Sequence, residues 1–384
     1  MKKKFKYMIG KSNINIKPSI FGLMSALAKQ HNAINFTQGA PDFETPSWIL
    51  EKLEYYSSRG KNQYSPIPGM PELKEACANK VKHLYGCSIN PDKEIMISCG
   101  ASEAIYSIIA AFISDGDEVI YFDPAFDAYP YVTKMMNGKS IRLQFLSNGR
   151  IDIEAIRKSI THRTKLIILN SPHNPLGAVI SKNEYLEIAK IIKNKDILLL
   201  SDEVYEHIYA GEQYQSVLSI PELKNQSIVV QSLGKTYNIT GWRLGVCIAP
   251  EKILPYLLGV KQFTTFSAPT PLQLAVADGI NDHPEYYETL PQLYQKSHDV
   301  ITNLLRKSRF KVLPWHGSPF LMLDYSNITS KNDECFAKEL ITNHGVGTVP
   351  VSSLYEKPIH RYLRVCFAKQ EKDLIEGALK LCQI

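Results

Sequence analysis

The stretch EIMISCGASEAIYSIIAAFISDGDEVIYFDP, residues 94–124, decides the fold class of this chain. It predicts a strand at 94–98, a helix at 101–114 and a second strand at 118–122. Both predicted strands are apolar at nearly every position, which is typical of strands that are covered on both faces. The stretch therefore predicts an α/β fold with a mainly parallel sheet.

The same alternation continues along the chain. A helix is predicted at 182–194, and further apolar strands are predicted at 166–170, 197–201, 227–231 and 244–249. Beyond about residue 270 the pattern changes to a long helix at 284–308 and strands at 311–313, 320–324 and 362–367. We therefore predict a large domain (46–270), a small α+β domain (271–384), and an N-terminal arm (1–45) of little periodicity that packs on the small domain or on a partner. The cleft between the domains is the default place for a binding site.

The composition excludes several classes of protein. Of the 384 residues, 44% are hydrophobic and 21% are charged, as in ordinary globular proteins. The net charge is +6, but Lys2, Lys3, Lys4 and Lys6 account for four of the positive charges, so the body does not indicate nucleic-acid binding. Seven cysteines without a CxxC pair indicate neither a disulfide framework nor a zinc ribbon. No signal peptide or apolar run of about 20 residues is evident, so a cytoplasmic protein without a membrane or metal partner is expected.

Ligands of parallel sheets bind beyond the carboxyl ends of the strands, so the residues at these ends are the candidates for chemistry. The segments that follow predicted strands are CGASE (99–103), DPAFDAY (123–129), SPHNPLG (171–177), DEVYE (202–206) and QSLGKTYNITGWR (231–243). Each also has an ordinary explanation, such as a helix N-cap at Ser102 or an Asn-Pro turn. Lys235 follows a buried strand among small residues, and Asp202 is a better candidate than Glu206, which looks exposed. A P-loop is excluded, because Val229 stands where that motif requires glycine. His173 is a weak candidate for a general base, because it has no identifiable carboxylate partner.

Taken in order, the five segments resemble the class I/II aminotransferases, which are fold-type I pyridoxal-phosphate enzymes. The most specific part is SLGKTYNITGWRLG at 232–245, supported by 171–177, 201–205 and 362–367. The resemblance runs from about Asn35 to the C-terminus. It is strongest to the methionine and kynurenine/glutamine aminotransferase branch, on the segments 36–43, 63–66 and 349–352.

The resemblance implies a seven-stranded, mainly parallel sheet in the large domain and pyridoxal 5'-phosphate as the cofactor. Lys235 would bond to the cofactor and carry the proton, and Asp202 would keep the pyridine nitrogen protonated. Tyr205 and Asn174 would bond the phenolic oxygen of the cofactor ring, and Phe126 would stack on the ring. The phosphate would be held by Gly100, Ala101, Ser102, Ser232, Arg243 and, from the other subunit, Tyr64.

The resemblance also implies a homodimer with shared active sites. Arg364 would bind the substrate α-carboxylate, together with Asn174 and the backbone of Gly39. Phe266 of the partner chain would line the side-chain pocket with Tyr129 and residues near Phe21. Such an aromatic pocket favours methionine and aromatic side chains over aspartate.

The predicted function is therefore the ping-pong transfer of an amino group from an L-amino acid, preferably methionine or an aromatic one, to a 2-oxo acid. A C–S β-lyase that uses the same Lys235 and Asp202 is an alternative. A regulator that senses pyridoxal phosphate is an alternative of another class. Such regulators carry a DNA-binding domain before the fold, and here the resemblance already begins near Asn35.

Overall fold

The computed structural model describes residues 18–211 and 214–384, so the lysine-rich start of the predicted arm lies outside the described residues. The strands are β1 (Ile34–Asn35), β2 (Ile95–Ser98), β3 (Glu118–Asp123), β4 (Lys139–Gln144), β5 (Thr164–Asn170), β6 (Leu198–Asp202), β7 (Ser227–Ser232), β8 (Gly245–Ile248), β9 (Lys311–Val312), β10 (Phe320–Asp324), β11 (Val346–Gly347), β12 (Val349–Pro350) and β13 (Tyr362–Cys366). The helices are α1 (Ile20–Gln30), α2 (Ser47–Ser58), α3 (Pro71–Tyr85), α4 (Pro91–Glu94), α5 (Ala101–Phe112), α6 (Ala128–Met135), α7 (Ile153–Ser159), α8 (Lys182–Ile192), α9 (Leu233–Thr236), α10 (Leu254–Gln262), α11 (Thr270–Asp282), α12 (Glu285–Leu305), α13 (Asp333–His344) and α14 (Glu371–Leu381). Within these ranges, no helix has the length and apolar character needed to cross a membrane.

A seven-stranded sheet in the order β2-β8-β7-β6-β5-β3-β4 forms the centre of the molecule. The strands from β4 to β7 are parallel, and only β8 runs antiparallel to its two neighbours. Helices cover both faces, so strands such as β7 bury almost every residue. The predicted α/β fold with a mainly parallel, seven-stranded sheet is confirmed.

Strand β4 and helix α1 are among the elements that the sequence pattern does not predict. Strand β4 lies at the sheet edge, where it pairs only with β3 and stays partly exposed, so its sequence KSIRLQ carries no apolar run. Helix α1 forms within the arm for which little periodicity is evident. It buries Met24 and Ala28 against the small domain, where β1 also pairs in parallel with β11.

The C-terminal part contains a four-stranded antiparallel sheet in the order β12-β13-β10-β9. Helices α12, α13 and α14 cover it, and Leu340, Leu363 and Leu374 belong to its core. Helix α11 does not cover this four-stranded sheet. Its residues Val276 and Ile280 belong to the core of the seven-stranded sheet, and the helix packs on α2 and α3. The predicted boundary at residue 270 therefore falls just before a helix that packs with the large sheet, and the division into domains stays a prediction.

Candidate active site

A cavity of about 180 Å³ opens at the carboxyl ends of β3, β5, β6 and β7. It is lined by Ala101, Ser102, Ile105, Phe126, Asn170, Asn174, Asp202, Val204, Tyr205, Ser232, Lys235 and Arg243. The structure thus brings together every predicted cofactor-binding residue of its own chain, apart from Gly100, which adjoins Ala101. Parallel strands end at one edge of the sheet, which is why segments distant in sequence meet there.

One end of the cavity suits a phosphate group. Helix α5 begins there at Ala101 and points its free amides and positive dipole end into the cavity. Gly100 has φ +80°, and a Cβ atom at this residue would lie 2.3 Å from Nη2 of Arg243. The guanidinium therefore lies against the glycine backbone, and these charged and amide donors fit the phosphate of pyridoxal 5'-phosphate.

Asp202 lies in the middle of the cavity at the end of β6, and it is 3% exposed. The Tyr129 hydroxyl donates to its Oδ2 at 2.5 Å. Burial raises the pKa of Asp202 from 3.8 to about 6, although the Tyr129 hydrogen bond opposes this. Because this buried carboxylate forms no ion pair within the described part of the chain, it suits a protonated pyridine nitrogen.

The prediction that Tyr129 lines the substrate pocket is wrong. Its side chain is 3% exposed and lies behind Asp202, with its ring edge-to-face against Phe126 and Tyr121. The only signal in the sequence for the contact between Phe126 and Tyr129 is their spacing of three residues, which on a helical turn places both on one face.

We expect Asp202→Asn to stabilise the cofactor-free protein at pH 7.5. A carboxyl whose pKa is raised by folding destabilises the folded state once it ionises, and a rise from 3.8 to about 6 corresponds to about 3 kcal/mol above pH 6. Near pH 4.5 the carboxyl is mostly protonated in the folded state, so the difference in the free energy of unfolding between wild type and Asp202→Asn decreases to about 1 kcal/mol. Urea unfolding of both apoproteins at the two pH values measures this. Asp115→Asn, at an exposed position, is the control, and equal stability of wild type and Asp202→Asn at pH 7.5 would contradict the expectation.

Lys235 lies in the short helix α9 directly after β7. Its Nζ donates to the carbonyl oxygen of Gly39 and lies 5.8 Å from the centre of the Tyr205 ring. Burial, with smaller contributions from Arg364 and Arg243 and against the opposing effect of Cys366, lowers the pKa of Lys235 to about 8. An amine with a pKa near 8 is partly neutral at physiological pH and is therefore a competent nucleophile. Burial also raises the pKa of Tyr205 well above its usual value.

Arg364 lies on β13 of the small domain and is 2% exposed. Its Nη1 donates to Asn174 Oδ1 at 3.0 Å and its Nη2 to the Thr37 carbonyl at 2.5 Å, while Nε has no hydrogen-bond partner. The rings of Phe21 and Phe320 lie 4.4 and 4.0 Å from its Cζ. Burial lowers the pKa of Arg364 to about 10. The guanidinium is thus fixed in place, charged, and left with an unused donor that suits a carboxylate.

Tyr64 and Phe266 do not line the cavity of their own chain. Tyr64 is 83% exposed and Phe266 is 42% exposed, and the two rings meet edge-to-face with centres 5.3 Å apart. Both side chains are exposed to solvent, as a residue that serves a second subunit must be in a single chain. Their predicted contacts with a partner remain predictions.

Two other acid–base candidates are buried away from the cavity. The expectation that Glu206 is exposed is wrong, since it is 3% exposed and accepts hydrogen bonds from Lys80 at 2.6 Å and Gln231 at 2.7 Å. Burial alone would raise the pKa of Glu206, but the charges of Lys80 and His207 lower it to about 2. Burial lowers the pKa of His173 to about 3, so this imidazole is neutral and unsuited to accept a proton.

A lysine amine of lowered pKa, a buried carboxylate and the Arg243 guanidinium line one cavity, and this combination suits an enzyme that handles an anionic group. The model of the family "Aminotransferase class I and II" matches residues 31–381. The chain belongs to this family, and it is an aminotransferase. The predicted family, fold class and type of activity are therefore confirmed.

Individual relatives agree with this assignment. The chain is 41% identical to a methionine aminotransferase of Escherichia coli (strain K12), over 95% of this chain and 96% of the relative. It is 32% identical to a kynurenine–oxoglutarate transaminase of Dictyostelium discoideum, over 95% and 93% of the two chains. A solved structure of an Escherichia coli enzyme, described as having a methionine aminotransferase function, superposes with a TM-score of 0.93 at 40% identity and covers 96% of this chain and 98% of the other.

Proposed function

We propose that this aminotransferase uses pyridoxal 5'-phosphate to transfer the amino group of methionine or an aromatic L-amino acid to a 2-oxo acid. The observation that carries the preference is the aromatic surround of Arg364. Its guanidinium lies between the rings of Phe21 and Phe320, so a substrate that is bound by its α-carboxylate meets apolar surface next to it. The similarity to the Escherichia coli methionine aminotransferase supports the same preference.

The cofactor residues act through charge and position. Ser232, Arg243 and the first amides of α5, at Ala101 and Ser102, hold the phosphate, and the Gly100 backbone leaves room for the guanidinium. Asp202 would keep the pyridine nitrogen of the cofactor protonated, and Phe126 would pack against the cofactor ring. Pyridoxal phosphate, once bound, withdraws electrons from the substrate Cα and so makes its proton removable.

The remaining residues orient the substrate and move its proton. Arg364 binds the α-carboxylate through its unused donor, while Asn174 holds the guanidinium and bonds the ring oxygen. Lys235 would hold the cofactor when no substrate is present. Once the substrate amine has taken its place, the neutral amine of Lys235 would be free to take the proton from the substrate Cα. Tyr205 holds the ring oxygen beside Lys235, and the Gly39 carbonyl holds the released amine.

The proposal includes a homodimer in which Tyr64 reaches the phosphate of the other subunit and Phe266 lines its side-chain pocket. The exposed Tyr64, Phe263 and Phe266 support this, because aromatic residues at this exposure are typical of subunit contacts. A cytoplasmic location belongs to the same proposal. It is supported by the seven cysteines, which all lie in the described residues and are all free thiols.

The test is a single-turnover experiment with the cofactor-loaded protein. Methionine, phenylalanine or aspartate is added without an acceptor, and the visible absorption of the bound cofactor is followed. We expect methionine and phenylalanine to remove the absorption band of the pyridoxal form at least about tenfold faster than aspartate, because the aromatic surround of Arg364 offers the aspartate side chain no partner charge. Addition of a 2-oxo acid should restore the band.

The outcomes separate the alternatives. Faster reaction with aspartate would contradict the proposed preference but leave the aminotransferase intact. Recovery of the band without an acceptor, together with pyruvate release from cystathionine, would indicate a C–S β-lyase instead. If the protein shows no cofactor absorption after incubation with pyridoxal phosphate, the proposal that pyridoxal phosphate is its cofactor is contradicted.

A further inference from the structure

A buried ion pair lies beside the cavity but does not line it. Glu103 is in the first turn of α5, one residue after Ser102, and its side chain is 6% exposed. Nζ of Lys261, at the end of α10, lies 3.2 Å from its Oε1, and the lysine side chain is completely buried. The Thr265 hydroxyl donates to the same carboxylate at 2.6 Å, and the Cys99 amide donates to Oε2. The carboxylate is thus bonded from three sides.

This carboxylate joins two parts of the chain that the proposed function places in different active sites. On one side it holds the turn at 99–103, which leads into the phosphate-binding amides. On the other side it holds Lys261 and Thr265, which shortly precede Phe266 in the chain. The Phe266 amide donates to the Lys261 carbonyl at 2.9 Å, and Cys99 Sγ contacts the Ser267 carbonyl at 3.7 Å. Phe266 itself has φ +66°, a left-handed conformation that surrounding contacts must maintain.

An acidic residue in the first turn of an exposed helix is favourable through the helix dipole alone. Glu103 differs because it is buried with a buried lysine, and removing both charges from water costs more than an exposed pair does. Such a pair instead fixes the positions of the groups around it, because the carboxylate accepts the hydrogen bond of each donor from a defined direction. Lys261 also balances a negative charge that would otherwise lie one residue from the phosphate.

We propose that Glu103 is a positioning residue that ties the phosphate-binding start of α5 to the segment 263–267, so that binding of the cofactor in one subunit and the position of Phe266 in the pocket of the other are coupled. This rests on the proposed function for the roles of the phosphate site and of Phe266. Glu103 touches neither the cofactor nor the substrate, and it acts through Ala101, Ser102 and Phe266.

The mildest test is Thr265→Val, which removes the hydrogen bond to Glu103 and the one that the hydroxyl accepts from Lys261 Nζ at 3.2 Å, and which leaves the ion pair and the side-chain volume in place. The matched control is Thr161→Val. The Thr161 hydroxyl donates at 2.7 Å to another buried carboxylate, Glu118, but that carboxylate lies at the amino end of β3, whereas the cavity opens at the carboxyl end. Two quantities decide the test for each variant: the Kd of pyridoxal phosphate for the apoprotein, from fluorescence titration, and the KM of the methionine reaction, with kcat measured alongside.

We expect Thr265→Val to raise the cofactor Kd about threefold and the methionine KM about fivefold with kcat within twofold, while Thr161→Val changes none of them. In a Phe266→Ala background, Thr265→Val should change KM by less than twofold, because the residue through which it acts is already gone. If Glu103 had a structural role alone, Thr265→Val would lower activity equally in the wild-type and Phe266→Ala backgrounds.

The double variant Glu103→Gln/Lys261→Met removes both charges without leaving either one unpaired, and it should raise both quantities by more than Thr265→Val does. A change in only one of the two quantities, additive effects with Phe266→Ala, or an equal effect of Thr161→Val would overturn the proposal. If the wild-type protein does not react with any amino acid, the proposed function fails. The effect of Thr265→Val on cofactor Kd, measured on the apoprotein, then decides by itself whether Glu103 supports the phosphate site.

Discussion

Lys235→Ala is expected to lower the turnover number at least about 10⁴-fold, a larger loss than any other single substitution in the cavity should cause. The loss has two causes in the structure. Nζ of Lys235 is the amine of lowered pKa that reaches into the cavity, so the variant can neither bond the cofactor nor move the Cα proton. Turnover is measured with methionine and a 2-oxo acid at saturating pyridoxal phosphate.

The control for this variant is Lys252→Ala, which removes an exposed lysine that does not line the cavity and should leave turnover within twofold. Cofactor binding to Lys235→Ala should persist, since Arg243, Ser232 and the α5 amides remain. Release of the cofactor on gel filtration should nevertheless be faster than from the wild type, because the covalent bond is missing. Normal turnover in Lys235→Ala would contradict the assignment of this residue and the proposals that depend on it.

Arg364→Gln is expected to reduce kcat/KM for methionine by roughly 30- to 5,000-fold, which corresponds to about 2–5 kcal/mol for a buried charge that loses its partner. Most of the loss should appear in KM, because the guanidinium binds the carboxylate in the ground state as well as in the transition state. The glutamine can still bond Asn174 or the Thr37 carbonyl, but it cannot supply the charge. The Kd of the cofactor should stay within about threefold, since Arg364 is not among the residues that line the cavity and reaches it only through its hydrogen bond to Asn174.

The matched control is Arg361→Gln, three residues earlier and next to the same strand. Arg361 is half exposed and pairs with Asp324 outside the cavity, so its removal should leave the methionine KM unchanged. An equal rise of KM in both variants would show that Arg364 acts through the small-domain fold. An unchanged KM in Arg364→Gln would place the carboxylate site elsewhere.

The sequence is sufficient to predict most of the cofactor site. Segments such as 171–177, 202–206 and 231–243 each follow an apolar strand, and strands of a parallel sheet end at the same edge, so local pattern alone places Asn174, Asp202 and Lys235 together. The edge strand β4 is not predicted, because a strand with one neighbour and partial exposure carries no continuous apolar run. Helix α1 is not predicted either, because most of its stability comes from packing on the small domain.

Other features of the site were decided only by tertiary structure. Tyr129 bonds Asp202 across 73 positions, and Arg364 bonds the Thr37 carbonyl across 327 positions, so no local pattern could pair them. The burial of Glu206 is a further example. Its neighbours in the sequence make it look exposed, and they do not predict its hydrogen bond with Lys80, which lies 126 positions earlier. The alternation of apolar strands determined the fold class and the edge of the sheet at which the candidate residues meet, because both follow from short-range periodicity, whereas the chemistry assigned to those residues came from the family resemblance. The partners that set the charge and orientation of those residues were decided by the folded chain, because burial and contact between distant segments exist only after packing.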